Sequence, residues 1–187
     1  MLFRSLEDLE DDFLKTAYLA REAGFDAVDI KSCHRYLLSE MLASHTRKGK
    51  YGGSYENRTR FIKNVIRKIK EKLDIDLAIR INMFDSIPYP YGWGTDKDSN
   101  IDLSEPKKFV GELADLGMNI FNVTAGTPYL EPHINRPYNT PGKNGYQAPE
   151  HPLVGVNRLV YLGKVIKKEV KDCLVIGTGF SWLRQFA

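Results

Sequence analysis

The chain has 187 residues, 42% of them apolar and 27% charged, which is enough to bury a sizeable core and ordinary for a soluble globular protein of one domain. A formal net charge of +3 is too small and too dispersed for a nucleic-acid footprint, and the basic stretch 63–72 alternates with apolar residues as the wet face of a helix does. No apolar run approaches the ~20 residues of a membrane span, no signal-peptide pattern opens the chain, and two cysteines, Cys33 and Cys173, are too few for a disulfide framework or a cysteine-held iron–sulfur cluster, so a reducing cytoplasm is expected.

In chain order, Ser5 followed three residues later by Asp8 reads as a helix start, and Leu6, Leu9, Phe13, Ala17 and Ala20 then recur at helical spacing up to a capping Gly24. Residues 25–31 read as a short strand. A second helix is expected over 56–72, with Phe61, Val65, Ile69 and Leu73 on one stripe and Ile62 and Ile66 beside it. Residues 77–82 form the next strand, followed by a loop rich in Pro, Gly and aromatics that includes Pro88, Tyr89, Pro90, Tyr91 and Trp93. Ser104 and Pro106 open a third helix carrying Phe109, Leu113 and Leu116, which stops at Gly117. A strand over 120–124, a long Pro- and Tyr-rich loop over 125–152, a fourth helix over 152–171 and a strand over 173–176 complete the order, with Gly177-Thr178-Gly179 at the end.

Strict alternation of helix and strand in units of 45–50 residues argues an α/β chain with a parallel sheet wrapped by helices, its strands expected to be buried on both faces. A complete eight-stranded (β/α) barrel takes about 250 residues, so four strands make a partial TIM barrel. Such folds keep their chemistry at the C-terminal ends of the strands. Residues 28–61 have that layout: a strand with a lysine at its tip, a histidine and a tyrosine within five residues, then a glycine-bearing loop leading into a helix.

Within that stretch, VDIKSCHRYLL followed by YGGSYENRTRF resembles the segment D/E-I-x-x-x-H/N-G-Y-L-L…Y-G-G-S-x-E-N-R-x-R-F of the Old Yellow Enzyme family, the FMN-dependent NAD(P)H:flavin oxidoreductases. The resemblance implies that the chain spans barrel strands four to seven, without the first three strands and without the Gly-Arg that ends strand eight and holds the flavin phosphate. It implies FMN as cofactor, NAD(P)H as reductant, and a small-molecule acceptor such as an enoate- or enone-type alkene. Neither nucleic acid nor membrane is an expected partner. Self-association, or pairing with the rest of a barrel, is expected through the open sheet edges.

Arg80 is the most informative single residue. The period of two in residues 77–82 sets Leu77, Ile79 and Ile81 against the helices and turns Ala78, Arg80 and Asn82 to the other face. A guanidinium there needs an accepting partner. The resemblance supplies the N1/C2=O side of the flavin; the plainer reading is a salt bridge to Asp29 on the neighbouring strand. Lys31, His34 and Tyr36 stand where family members place two donors to the acceptor's oxygen and a proton-donating tyrosine. The plain readings are a surface lysine, a histidine satisfying backbone and a core tyrosine. Two positions depart from the family pattern, Lys31 in place of histidine and Arg35 in place of glycine, which puts the substrate class in question.

YGGS with Glu56, Asn57, Arg58 and Arg60 reads as a structural lock rather than chemistry, its glycines permitting a tight loop. Gly177 and Gly179 suit close approach of backbone N–H groups to a phosphate, and GTGFSWLRQF resembles a family version of the strand-seven end. A G-x-G alone is more often a turn. His133 and His151 lack the cysteines or carboxylates of a metal site, and Cys33 reads as a small apolar filler. Two other functional classes stay open. Lys31 could form a Schiff base in an aldolase-like barrel, which borohydride trapping would detect. Alternatively, the chain is a non-catalytic half-barrel that associates through its edges.

Overall fold

A computed structural model describes residues 5–180. Helix α1 (Leu6–Glu22) begins at a capping box in which the Ser5 hydroxyl accepts from the Asp8 N–H and the Asp8 carboxylate accepts from the Ser5 N–H. Strand β1 (Ala27–Ser32) follows, then α2 (Leu37–Leu42), α3 (Tyr55–Lys72), β2 (Asp76–Asn82), α4 (Ser104–Asp115) and β3 (Ile120–Thr124). The short α5 (Pro132–Asn135), the long α6 (Pro152–Glu169) and β4 (Leu174–Ile176) complete the series. The four strands form one parallel sheet in the order β1-β2-β3-β4, so spatial order equals chain order.

Two helices lie outside the elements expected from the sequence. Helix α2 is only six residues long, too short to show a helical period, yet Leu38, Met41 and Leu42 bury one side of it. In α5 Pro132 starts a single turn inside the long loop, burying His133 and Ile134.

The sheet's helix-facing side is the core. Leu77, Ile79, Ile81, Phe121 and Val123 are 0% exposed and meet the apolar stripes of α3 (Phe61, Ile62, Val65, Ile66), α4 (Phe109, Val110, Leu113) and α6 (Leu159, Leu162, Ile166). Each such side chain contributes roughly 1.5–3 kcal/mol by leaving water. The opposite side departs from the expectation of strands buried on both faces. Asp29, Lys31, Leu174 and Ile176 are exposed there, because four strands do not close on themselves, whereas Ala78, Asn82 and Thr124 on the same side are buried.

The YGGS loop is held as expected of a structural lock. Arg58 is 2% exposed and donates from Nε to Gly53 O (3.0 Å), from Nη1 to Leu42 O (2.6 Å) and from Nη2 to both Glu105 oxygens (2.7 and 2.9 Å). Asn57 and Arg60 donate to the carbonyls of Gly49 and Lys50. Gly52 has no room for a side chain: a Cβ there would stand 2.6 Å from Arg47 O.

Candidate functional site

The register places Lys31 opposite Arg80, Arg80 opposite Asn122 and Asn122 opposite Ile176, one row across the inner face near the C-terminal ends of the strands. Above this row lies a cleft of about 500 Å³. Lys31, His34, Tyr36, Arg80 and Gly179 line it together, so five of the six sequence-derived site residues converge. Gly177 does not join them; it borders a separate pocket between α6 and β4, with Leu174 and Phe180. The residues after Phe180 in GTGFSWLRQF lie outside the described residues.

The backbone after β1 is unusual. His34 and Arg35 have φ of 59° and 60°, consecutive left-handed residues of which neither is glycine. Arg35 occupies the position at which the Old Yellow Enzyme pattern has glycine. Its strain is offset by polar anchoring: Nη1 donates to Tyr91 O (2.8 Å) and lies 3.5 Å from Asp85, while Nε and Nη2 bind Glu40 at 2.6 and 2.8 Å. The turn aims the His34 ring at Thr124 and Asn135. Asn135 Nδ2 donates to Ala125 O (3.1 Å), which fixes the amide orientation, and also to His34 Nε2 (2.8 Å). Nε2 is therefore an acceptor, and the ring proton belongs on Nδ1. Burial, then the charges of Arg80, Lys31 and Arg136, hold this imidazole at a pKa of about 4, so it is neutral at physiological pH.

Tyr36 starts α2 and shares a 2.7 Å hydroxyl–hydroxyl bond with Tyr129. The Lys31 ammonium lies 3.4 Å above the Tyr36 ring centroid, a close cation–π contact. The alternative pairing of Arg80 with Asp29 is not formed. Arg80 Nε is buried without a partner, and so is Asn122 Oδ1 beside it in the row. Cys33 is 0% exposed, and burial pushes its thiol to about 11, in keeping with an apolar filler.

Tyr129, Asn135 and Arg136 are among the cleft residues that sequence reasoning did not single out. All three come from the long loop after β3, whose composition carries no period to show which side chains turn inward. A tyrosine a few residues beyond a strand end was the available signal.

An unpartnered donor and an unpartnered acceptor side by side suit the edge of a heterocycle that offers both carbonyl and N–H groups, as the pyrimidine ring of a flavin does. Gly179, at φ 90° and with Leu159 Cβ 3.3 Å from where its own Cβ would stand, leaves open backbone at the cleft wall. The residues present fit a flavin.

Fold and cleft together place the chain in the parallel β/α barrel class, with its polar groups gathered at the strand ends. Residues 1–160 match the NADH:flavin oxidoreductase / NADH oxidase family, and the chain belongs to that family. The NADPH dehydrogenase of Listeria innocua serovar 6a is 28% identical over 180 residues, 92% of this chain and 50% of that protein. That of Bacillus subtilis strain 168 is 30% identical over 128 residues, 67% of this chain and 35% of that protein. The chain spans about half the length or less of these curated relatives.

Among solved structures, histamine dehydrogenase from Rhizobium sp. 4-9 superposes with a TM-score of 0.65 at 21% identity, over 99% of this chain and 25% of that one. The Old Yellow Enzyme homologue from Zymomonas mobilis gives 0.52 at 22% identity, over 87% of this chain and 40% of that one. Both are likenesses of fold, and both support a partial TIM barrel. The family's cofactor is FMN and its reductant a reduced nicotinamide dinucleotide. Among the described residues no helix is long and apolar enough to cross a membrane.

Proposed function

We propose that this chain carries the isoalloxazine-facing half of an FMN-dependent NAD(P)H oxidoreductase site whose acceptor is an activated alkene of the enoate or enone type, or a similar electrophile. The observation that carries the reading is the buried, unpartnered Nε of Arg80 at the base of a polar cleft, in a chain of this family. When bound, FMN supplies the two-electron chemistry, accepting reducing equivalents from NAD(P)H and passing them on.

Arg80 would hold the N1/C2=O side of the ring, its fixed positive charge favouring the negative charge that reduction brings. Asn122 Oδ1 would be free to accept from an N–H of the ring. Gly179 offers backbone to the phosphate, a role in which Gly177 takes part only if the loop rearranges to bring it round. At the cleft mouth Tyr36 gives its hydroxyl proton to the acceptor carbon, and Tyr129, 2.7 Å away and open to solvent, returns one to it. His34 is the neutral donor through Nδ1, held by Asn135, and Lys31 is the charged donor to the acceptor's oxygen. Family membership favours this reading over a Schiff-base lyase.

Completion of the barrel by further chain or by another half is part of the proposal, since Leu174 and Ile176 are 67% and 50% exposed on the inner face.

The test is a titration of the purified chain with FMN, followed by flavin fluorescence, alongside Arg80→Ala. The expected result is saturable quenching weakened about tenfold or more in the variant, the scale of a lost charge-assisted hydrogen bond. Equal binding by both proteins would remove the role given to Arg80. Absence of binding by either would remove the claim that this half holds the ring unaided.

A further inference from the structure

Resting on that flavin reading, we infer that the acceptor taken by this cleft is an anion, an alkene bearing a carboxylate that Lys31 and Arg136 hold at the mouth. The cleft is lined by three cations, Lys31, Arg80 and Arg136, and by no aspartate or glutamate. The whole chain carries only +3. Elsewhere most buried or half-buried cations find carboxylates: Arg35 with Glu40, Arg58 with Glu105, Lys63 with Glu112, Arg158 with Glu150, while Arg60 is held by a carbonyl and an amide oxygen. Among the described residues no ion pair reaches the three in the cleft.

The crowding is built into the sheet. Lys31 and Arg80 are register partners on adjacent parallel strands, whose backbones lie about 4.8 Å apart. Like charges placed opposite one another destabilise a sheet, so such a pair calls for a counter-ion. The inner-face acid, Asp29, sits one row further back, opposite Ala78, and does not line the cleft. His34 supplies no negative charge, and the Tyr36–Tyr129 pair is neutral.

The three cations divide by depth. Arg80 is the half-buried one, with its Nε sealed off, and belongs with the ring. Lys31 and Arg136 are exposed at the mouth, and the Lys31 ammonium rests against the ring of Tyr36, the proton donor. A carboxylate conjugated to the reacting double bond and bound there brings its α-carbon beside the Tyr36 hydroxyl. A neutral ketone or amide leaves the two outer cations unpaired, so the lysine that replaces the family's histidine selects for charge.

An oxyanion here could also be the phosphate of FMN itself, and the experiment separates the two. Binding of cinnamate and of cinnamamide to the FMN-loaded chain is measured by calorimetry, and binding of FMN and of riboflavin by fluorescence. Each is done for the parent chain, Lys31→Met and Arg136→Gln. The expected result is a preference of about tenfold or more for cinnamate over its amide, lost in Lys31→Met and cut about threefold in the more exposed Arg136→Gln, with FMN affinity unchanged. Added salt weakens cinnamate but not cinnamamide.

Equal binding of acid and amide, with FMN bound normally, overturns the inference and leaves the flavin reading standing. A fall in FMN affinity towards that of riboflavin in the two variants also overturns it, assigning the cations to the cofactor phosphate. Charge-dependent cinnamate binding to a chain that takes no FMN supports the anion site and removes the flavin reading. Failure of every ligand removes both.

Discussion

The two faces of the sheet are made by the same strands, with residues alternating between them, yet they are built to opposite rules. On the helix side Leu77, Ile79, Ile81, Phe121 and Val123 are wholly buried in a continuous apolar layer. On the other side the row Lys31, Arg80, Asn122 and Ile176 sets two cations side by side, leaves Arg80 Nε and Asn122 Oδ1 without partners and exposes an isoleucine. The first face holds the chain together; the second spends stability to keep charge and polarity where a ligand can use them. Period-two geometry lets adjacent residues, Ile79 and Arg80, serve opposite ends.

The sharpest way to break this comparison is to mutate those neighbours. Ile79→Ala should lower the unfolding free energy by about 2–5 kcal/mol in urea titration, the cost of a cavity in a sealed core. Arg80→Leu should change it by less than about 1 kcal/mol, or raise it, because a like-charge contact disappears. Equal losses for the two would show that the inner face is also structural.

A second test reads the electrostatics of the cleft. His34 is held at about 4 against 6.5 for a free imidazole, chiefly by burial and then by Arg80, Lys31 and Arg136. The unfolded chain therefore takes up a proton at a pH where the folded one does not, so this residue's contribution is intact above 6.5 and stability falls as pH drops from 6.5 towards 4. Ring-proton NMR should show His34 titrating well below the 6.5 of a free imidazole, and Lys31→Met should move it upwards. A normal His34 titration would mean that the charges do not converge as described. Smaller again is the thiol: Cys33, with its pKa near 11 and no exposure, should resist a thiol reagent at neutral pH until the chain unfolds, whereas half-buried Cys173 reacts first.

The smallest expected effect is at Arg35. Glycine there relieves φ of 60° but gives up the contacts to Glu40, Asp85 and Tyr91, so thermal melting should shift by only a few degrees.

Much of this was legible in the residues. The α3 stripe Phe61, Ile62, Val65 and Ile66 and the alternation of 77–82 fix both the helix layer and the inward turn of Arg80, because each follows from local geometry. Lys31, His34 and Tyr36 were legible because strand ends and the family string coincide there. Tyr129, Asn135 and Arg136 were not: they reach the cleft through a 28-residue stretch, 125–152, whose path depends on the one-turn α5 and on contacts such as Asn135 to Ala125 O. Nor could the sequence show that Lys31 stands opposite Arg80, since register is a property of the pairing and not of either strand. The exposed inner face likewise lay beyond a reading that took apolar strands to be covered on both sides.

That spatial order equals chain order has a consequence for how the molecule is assembled. Each strand and its helix touch chiefly the units before and after them, as repeats do in a solenoid, so the architecture is a stack extended one unit at a time. In such a stack the middle units, here β2 and β3 with α3 and α4, have neighbours on both sides, while β1 and the three-residue β4 each have one among the described residues. Loosening of one unit is then felt chiefly by the units next to it, and the middle units are the best protected.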